Sequence, residues 1–180
     1  MPDKLTGLRT HRDDLRHEIE THGRFGCLVD IDGLIWVNAQ DGHLEGDRVL
    51  VAVARRLEET VSGQGACVFR VGGDEFLVLF PSLGRAALQE IAATIVSGVR
   101  ALGIRYRRTD CPGRATVEVN VTLLSITPAF ADRALFEYGL AQEARDWVAD
   151  GVYREKQQSP CAAGVVVDLL DTADCPWAGG

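Results

Sequence analysis

Cys67-Val-Phe-Arg-Val-Gly-Gly-Asp-Glu-Phe-Leu-Val-Leu-Phe80 holds two apolar runs, Cys67–Val71 and Phe76–Phe80, on either side of Gly72-Gly73-Asp74-Glu75. A glycine pair between such runs tolerates the backbone angles of a tight turn, so the stretch predicts a β-hairpin with two carboxylates in its turn. Upstream, Gly26-Cys-Leu-Val-Asp-Ile31 is a short apolar run suited to a buried strand, and Asp30 and Asp32 stand where it ends. If this strand lies beside the hairpin, Asp30 and Asp74 converge at one edge of a sheet. Carboxylates that meet in this way hold hard divalent cations such as Mg²⁺, which prefer oxygen ligands and keep positions open for phosphate oxygens.

Helical spacing fills the intervals. Thr10-His11-Arg12-Asp13 fits a capping box, with Leu8, Leu15 and Ile19 on one face and Gly23 as a stop. Leu50, Val53, Leu57 and Val61 predict a helix from about His43 to Val61; Leu88, Ile91, Ile95 and Val99 predict another over Arg85–Leu102. After the Asp110-Cys-Pro-Gly113 turn, Val117, Val119, Val121 and Leu123 alternate as a strand does. A helical stretch from about Phe130 to Gln157 and a last strand over Val165–Leu170 follow. The order predicts one α+β domain over residues 1–170, a mixed sheet flanked by helices, with a flexible tail over 171–180.

Composition narrows the chemistry. The 180 residues are 46% hydrophobic and 25% charged, an ordinary globular balance that excludes a disordered or fibrous chain. No apolar run is long enough to span a membrane, and the N-terminus lacks the apolar core of a signal peptide. Five cysteines without a CxxC pair predict reduced thiols and a cytoplasmic protein. A net charge of −7 argues against a nucleic-acid partner, so a polyanionic substrate would need a divalent metal to hold it. Of the 19 basic residues only Lys4 and Lys156 are lysines, which makes each of those two a candidate for a specific task.

Arg70-Val-Gly-Gly-Asp-Glu-Phe76 contains the string that names the GGDEF family of diguanylate cyclases. Asp30-Ile-Asp-Gly-Leu-Ile-Trp-Val-Asn-Ala-Gln-Asp-Gly-His-Leu-Glu-Gly-Asp47 resembles that family's DxDxFKxxNDxxGHxxGD segment without a gap. Asp3-Lys-Leu-Thr-Gly-Leu8 resembles its DxLTGL opening. Val148–Lys156 resembles its ADxALYxAK helix, mainly at Tyr153 and Lys156. The resemblance covers about residues 3–170 in order.

The resemblance implies a palm-like nucleotide-cyclase sandwich whose hairpin carries the motif. It implies a homodimer in which each subunit binds one GTP, and two 3′-hydroxyls attack each other's α-phosphate to give cyclic di-GMP and pyrophosphate. Two Mg²⁺ or Mn²⁺ ions, about 3.5–4 Å apart, would serve that displacement. Asp30 and Asp74 fall at metal-ligand positions, with the Ile31 carbonyl and Glu75 beside them; Glu75 is also placed to assist deprotonation of the hydroxyl. Gly72 and Gly73 would let ribose and phosphates approach the backbone, and the amides of Gly33, Leu34 and Ile35 would donate to the β- and γ-phosphates. Asn38 and Asp47 fall where the family reads guanine; a carboxylate only accepts hydrogen bonds, and guanine offers N1–H and the 2-amino group, whereas adenine offers an acceptor at N1. Lys156 would reach the triphosphate. His43, Trp36 and Trp147 read as helix-start and packing residues, and Thr6 and Leu8 as residues that fix the first helix.

This chain also departs from the pattern. Ile35 stands where the family has a phosphate-contacting lysine, Leu34 replaces a phenylalanine, and Ala39 replaces an aspartate. Pro160 lies where a second phosphate-binding arginine is expected. The product-inhibition motif RxxD would need charges at Gly63 and Ala66, which predicts no feedback through that surface. The catalytic unit begins almost at Met1, so the expected dimer either pairs by itself or depends on a separate regulatory protein. Two further readings stand beside cyclic di-GMP synthesis: a palm-type enzyme making a different cyclic di- or oligonucleotide, and a degenerate GTP-binding or regulatory module.

Overall fold

Strand β1 (Phe25–Asp32) is the middle of a five-stranded sheet ordered β2-β3-β1-β4-β5, built with β2 (Cys67–Arg70), β3 (Glu75–Phe80), β4 (Glu118–Ser125) and β5 (Val166–Asp171). The computed structural model describes residues 1–10, 17–19, 25–81, 83–107, 116–126 and 166–171, the last six for their backbone. β1 pairs antiparallel with β3 and β4, β2 pairs antiparallel with β3, and β5 runs parallel to β4, so the sheet is mixed. The hairpin expected from the glycine pair is β2–β3. β1 does lie beside it, with Asp30 opposite Glu75.

Among the described residues these strands are accompanied by α1 (Leu34–Asp41), α2 (His43–Thr60) and α3 (Arg85–Arg100). α2 and α3 form where the periodicity places them, and Leu50, Val53 and Leu57 of α2 meet Leu88, Ala92, Ile95 and Val99 of α3 in one buried cluster. That cluster takes in the sheet face formed by Cys27, Val29, Ile31, Phe76, Val78, Val119, Val121 and Leu123; Leu28, Leu77, Leu79 and Leu124 at the alternate positions are buried too, which is why these strands read as near-continuous apolar runs. Truncating a side chain as enclosed as Ile95 or Leu57 to alanine costs about 2–5 kcal/mol.

α1 is an addition to the sequence reading, which placed no helix before His43. Eight residues with only Leu34 and Val37 buried carry too little periodic signal. Its geometry depends on two glycines in positive-φ conformations, Gly33 (φ 100°) before it and Gly42 (φ 84°) after it. Residues 17–19 are helical and Ile19 is buried, as the first predicted helix requires, whereas Leu8 is buried outside any helix, next to the Arg9–Phe69 bridge. The rest of that helix, the 110–113 turn, the helix expected over 130–157 and the tail after 171 lie outside the described residues. Among the described residues no helix is long and apolar enough to cross a membrane.

Candidate active site

Directly opposite residues of antiparallel strands project to the same face. Glu75, Asp30 and Asn120 therefore form one row across β3, β1 and β4, the three inner strands, near the C-terminal end of β1. The Ile31 amide donates to the Asp74 carbonyl at 3.1 Å, which draws the hairpin turn against the end of β1. Inside the turn, the amides of Val71 and Gly72 both donate to the Glu75 carbonyl, at 3.0 and 3.2 Å. Asp30, Asp74 and Glu75 are each half-buried. A side chain on Gly72 would collide with Glu75 Oε2, so the Glu75 carboxylate lies back over the turn. Gly73 has open space around it and faces solvent.

The N-terminal segment braces this hairpin. The Asp3 carboxylate accepts from the Thr6 amide and hydroxyl, both at 2.7 Å, and from Arg70 Nη1 at 3.0 Å. The other end of the same guanidinium, Nη2, donates to the Gly73 carbonyl at 2.6 Å. The Arg70 amide donates to the Arg9 carbonyl at 3.0 Å, so the chain entering the domain lies alongside β2. Burial alone would raise the Asp3 carboxyl; the hydrogen bonds from Thr6 and Arg70 and the guanidinium charge outweigh it and hold the group below the ordinary carboxylate range. Thr6 bonds to Asp3 and Leu8 lies in the core, while the start of the helix they were expected to fix lies outside the described residues. Asp3 and Arg70 were not singled out, although the exact spacing of an acid in the opening motif and an arginine before the turn was the available signal.

α1 presents the second half of the site. Gly33 is buried and left-handed, and its carbonyl accepts from the Trp36 and Val37 amides at 3.0 and 3.1 Å. The first amides of a helix have no partner within it, so those of Leu34 and Ile35 are available to an anion. A Cβ on Gly33 would fall 2.6 Å from the Tyr106 ring. Tyr106 is 4% exposed and belongs to a short strap, residues 104–107, bonded at its other end to Gln40: the Arg107 amide donates to Gln40 Oε1 at 2.9 Å and the Gln40 amide donates back to the Arg107 carbonyl. The signal for Tyr106 was an aromatic amid arginines, too weak by itself to place it under α1.

Asn38 stands on α1 and Asp47 on α2, the residue after Gly46. A side chain on Gly46 would collide with Asn38 Oδ1, so Asn38 lies against α2 beside Asp47, and both residues are half-buried. Leu34 is buried, whereas Ile35 is 74% exposed, an apolar side chain held in water at the rim of the site. Trp36 packs against the core. His43 opens α2 but is exposed, so it contributes to the helix start and not to packing. Lys156, Trp147 and Pro160 lie outside the described residues.

The groups that would hold a divalent cation here offer only oxygen: the Asp30 and Asp74 carboxylates and the Ile31 carbonyl, with Glu75 turned over Gly72. Among the described residues no group of three or more His, Cys, Asp or Glu side chains gathers as a metal cage. Mg²⁺ binds through one or two carboxylates plus substrate phosphates, and this donor set fits that mode.

A mixed sheet with a carboxylate-bearing hairpin beside its central strand, and a helical hairpin holding an Asn–Asp pair next to it, defines an α+β nucleotide-cyclase-type domain. Residues 1–137 match the sequence pattern of the "Diguanylate cyclase, GGDEF domain" family, and the chain belongs to that family. It is 39% identical over 110 residues to the diguanylate cyclase DgcM of Escherichia coli, a match covering 57% of this chain and 27% of DgcM. It is 31% identical over 144 residues to an uncharacterized 19.3 kDa protein of Streptomyces ambofaciens, covering 74% and 75% of the two chains. The chain spans about a quarter of DgcM and 17% of the probable cyclase DgcI of E. coli. Among solved structures, the isolated GGDEF domain of TpbB (YfiN) from Pseudomonas aeruginosa superposes with a TM-score of 0.64 at 26% identity, covering 97% of both chains. The cyclase SiaD of P. aeruginosa, solved with its activator SiaC, gives 0.65 at 25% identity, over 94% of this chain and 61% of that one.

Proposed function

We propose that the protein condenses two GTP into cyclic di-GMP and pyrophosphate in a homodimer, one GTP held by each subunit. The observation that carries this reading is the register that puts Asp30 opposite Glu75 while Ile31 bonds to Asp74, so the acids of two distant stretches share one edge. Asp30, Asp74 and the Ile31 carbonyl would hold Mg²⁺ or Mn²⁺, which supplies charge neutralisation for the triphosphate and a more acidic 3′-hydroxyl. The Leu34 and Ile35 amides, at the start of α1, receive β- and γ-phosphate oxygens, and Gly73, open on its outer side, lets ribose approach the turn. Asn38 and Asp47 accept from and orient the guanine edge; an acceptor-only carboxylate rejects adenine, whose N1 is also an acceptor. In the step itself the 3′-oxygen of one GTP bonds to the α-phosphorus of the other, the bond to the β-phosphate oxygen breaks, and pyrophosphate leaves. Glu75 is the residue placed to assist removal of the hydroxyl proton. Gly63 and Ala66 offer no charge for a product-inhibition contact, so turnover proceeds without feedback through that surface.

The 74% exposure of Ile35 at the phosphate-lysine position favours one second reading, a GTP-binding module that does not turn over. Purified protein incubated with each NTP and Mg²⁺ or Mn²⁺, with products resolved by mass, separates the two. Cyclic di-GMP from GTP alone supports synthesis; tight GTP binding without pyrophosphate release supports the module; a different cyclic product overturns both.

A further inference from the structure

Behind α1, on the side where the 104–107 strap crosses it, lies a cavity of about 940 Å³ lined by Trp36, Gln40, Asp41, Arg105, Tyr106 and Arg107. We propose that this cavity is a second ligand site, for a purine nucleotide bound without metal and separate from the triphosphate site.

Its volume lies at the upper end of what small-molecule pockets have. Its floor is fixed: Tyr106 is wedged against Gly33, and the two-way bond between Gln40 and the Arg107 backbone ties strap to helix. Arg105 and Arg107 alternate with the buried Tyr106 and are both exposed, and neither guanidinium makes an ion pair among the described residues. Two exposed guanidiniums against the single Asp41 carboxylate, among the described residues lining this cavity, make it locally positive in a chain of net charge −7. Guanidinium forks match phosphate oxygens in two-point contacts. The half-buried Trp36 indole offers a flat apolar surface on which a base stacks, a contact worth about 1–3 kcal/mol. Asp41 adds an acceptor for a ring N–H or amino group, which a bare phosphate has no means to use. Stacking face, acceptor and guanidinium pair together suit a nucleotide, and guanine, a purine with a ring N–H beside an amino group, makes fullest use of the Asp41 acceptor. The site does not depend on the reading of the carboxylate edge: Asn38 meets Gly46, whereas Trp36 and Gln40 line the cavity.

The test is calorimetric titration of the whole chain with GMP, and separately with inorganic phosphate, in EDTA, alongside tryptophan fluorescence. GMP is expected to bind and to quench the indole, and that quenching is expected to survive Asp47→Ala and to weaken by about tenfold or more in Arg105→Ala/Arg107→Ala. Both arginines are exposed, so that double variant keeps its fold, and its thermal midpoint confirms this. Four results would each overturn the site: no GMP binding at millimolar concentration, binding lost in Asp47→Ala, binding unchanged in the arginine variant, or phosphate binding as tightly as GMP. Loss in Asp47→Ala would return the nucleotide to the site already proposed, whereas a failure of cyclase activity leaves this titration unaffected.

Discussion

Gly46 and Gly33 show how single atoms set this site. A methyl group on Gly46 occupies the place of Asn38 Oδ1, so Gly46→Ala is expected to displace Asn38 and weaken GTP binding while the melting temperature changes little. A Michaelis constant for GTP unchanged from wild type would count against the Asn38 assignment. Gly33→Ala meets two obstacles, a left-handed backbone costing an L-residue about 1–2 kcal/mol and the Tyr106 ring 2.6 Å away. It is expected to lower unfolding stability by about 2 kcal/mol or more, read from urea denaturation. Asp47→Ala is expected to erode the preference for GTP over ATP by about a hundredfold, measured as the ratio of kcat/KM values; an unaltered ratio would remove Asp47 from base recognition. Asp74→Ala should reduce product formation on the order of a thousandfold with an unchanged circular dichroism spectrum. The positions of Asp30, Asp74, Asn38 and Asp47 were legible because motif spacing carries them. Tyr106 was not, since its role arises from a contact with Gly33 across 73 residues of chain that no periodicity encodes.

Among the elements, the β2–β3 hairpin was the most readable and α1 the least. The glycine pair between apolar runs dictates a turn whatever surrounds it, whereas α1 has two buried side chains and is held by its neighbours. The brace on the hairpin is a three-part relay, Thr6 to Asp3 to Arg70 to the Gly73 carbonyl, with both charged side chains largely enclosed. Removing one member strands the other, so Arg70→Ala is expected to cost about 1–3 kcal/mol and to loosen the turn carrying Asp74. The brace also carries a pH signature. The Asp3 carboxyl titrates lower in the folded chain than in the unfolded one, so its contribution is present above the unfolded carboxylate range and lost as pH falls through it toward the folded value. Wild type is therefore expected to lose more thermal stability than Asp3→Asn between about pH 6 and about pH 3. Parallel loss in the two proteins would show that the relay contributes nothing in solution.

For the molecule as a whole, strand content and two of the three described helices followed from alternation and 3.6-residue spacing, because a core face must be apolar wherever it is placed. Strand order did not follow: β1 accepts partners on both sides, and nothing in its own sequence says that β4, almost ninety residues later, is one of them. The sheet also leaves a consequence at its far side. β4 is buried along nearly its entire length, and on its outer side the described residues pair it with β5, the one parallel strand pair of this sheet. A gene fragment stopped near residue 137 would still include every proposed metal- and base-contacting group and lack only Lys156, expected at the triphosphate, yet it would present that apolar ribbon as a raw template. Such a fragment is expected to recruit copies of itself and sediment as aggregate, and a cell making it would lose soluble protein before it lost any chemistry.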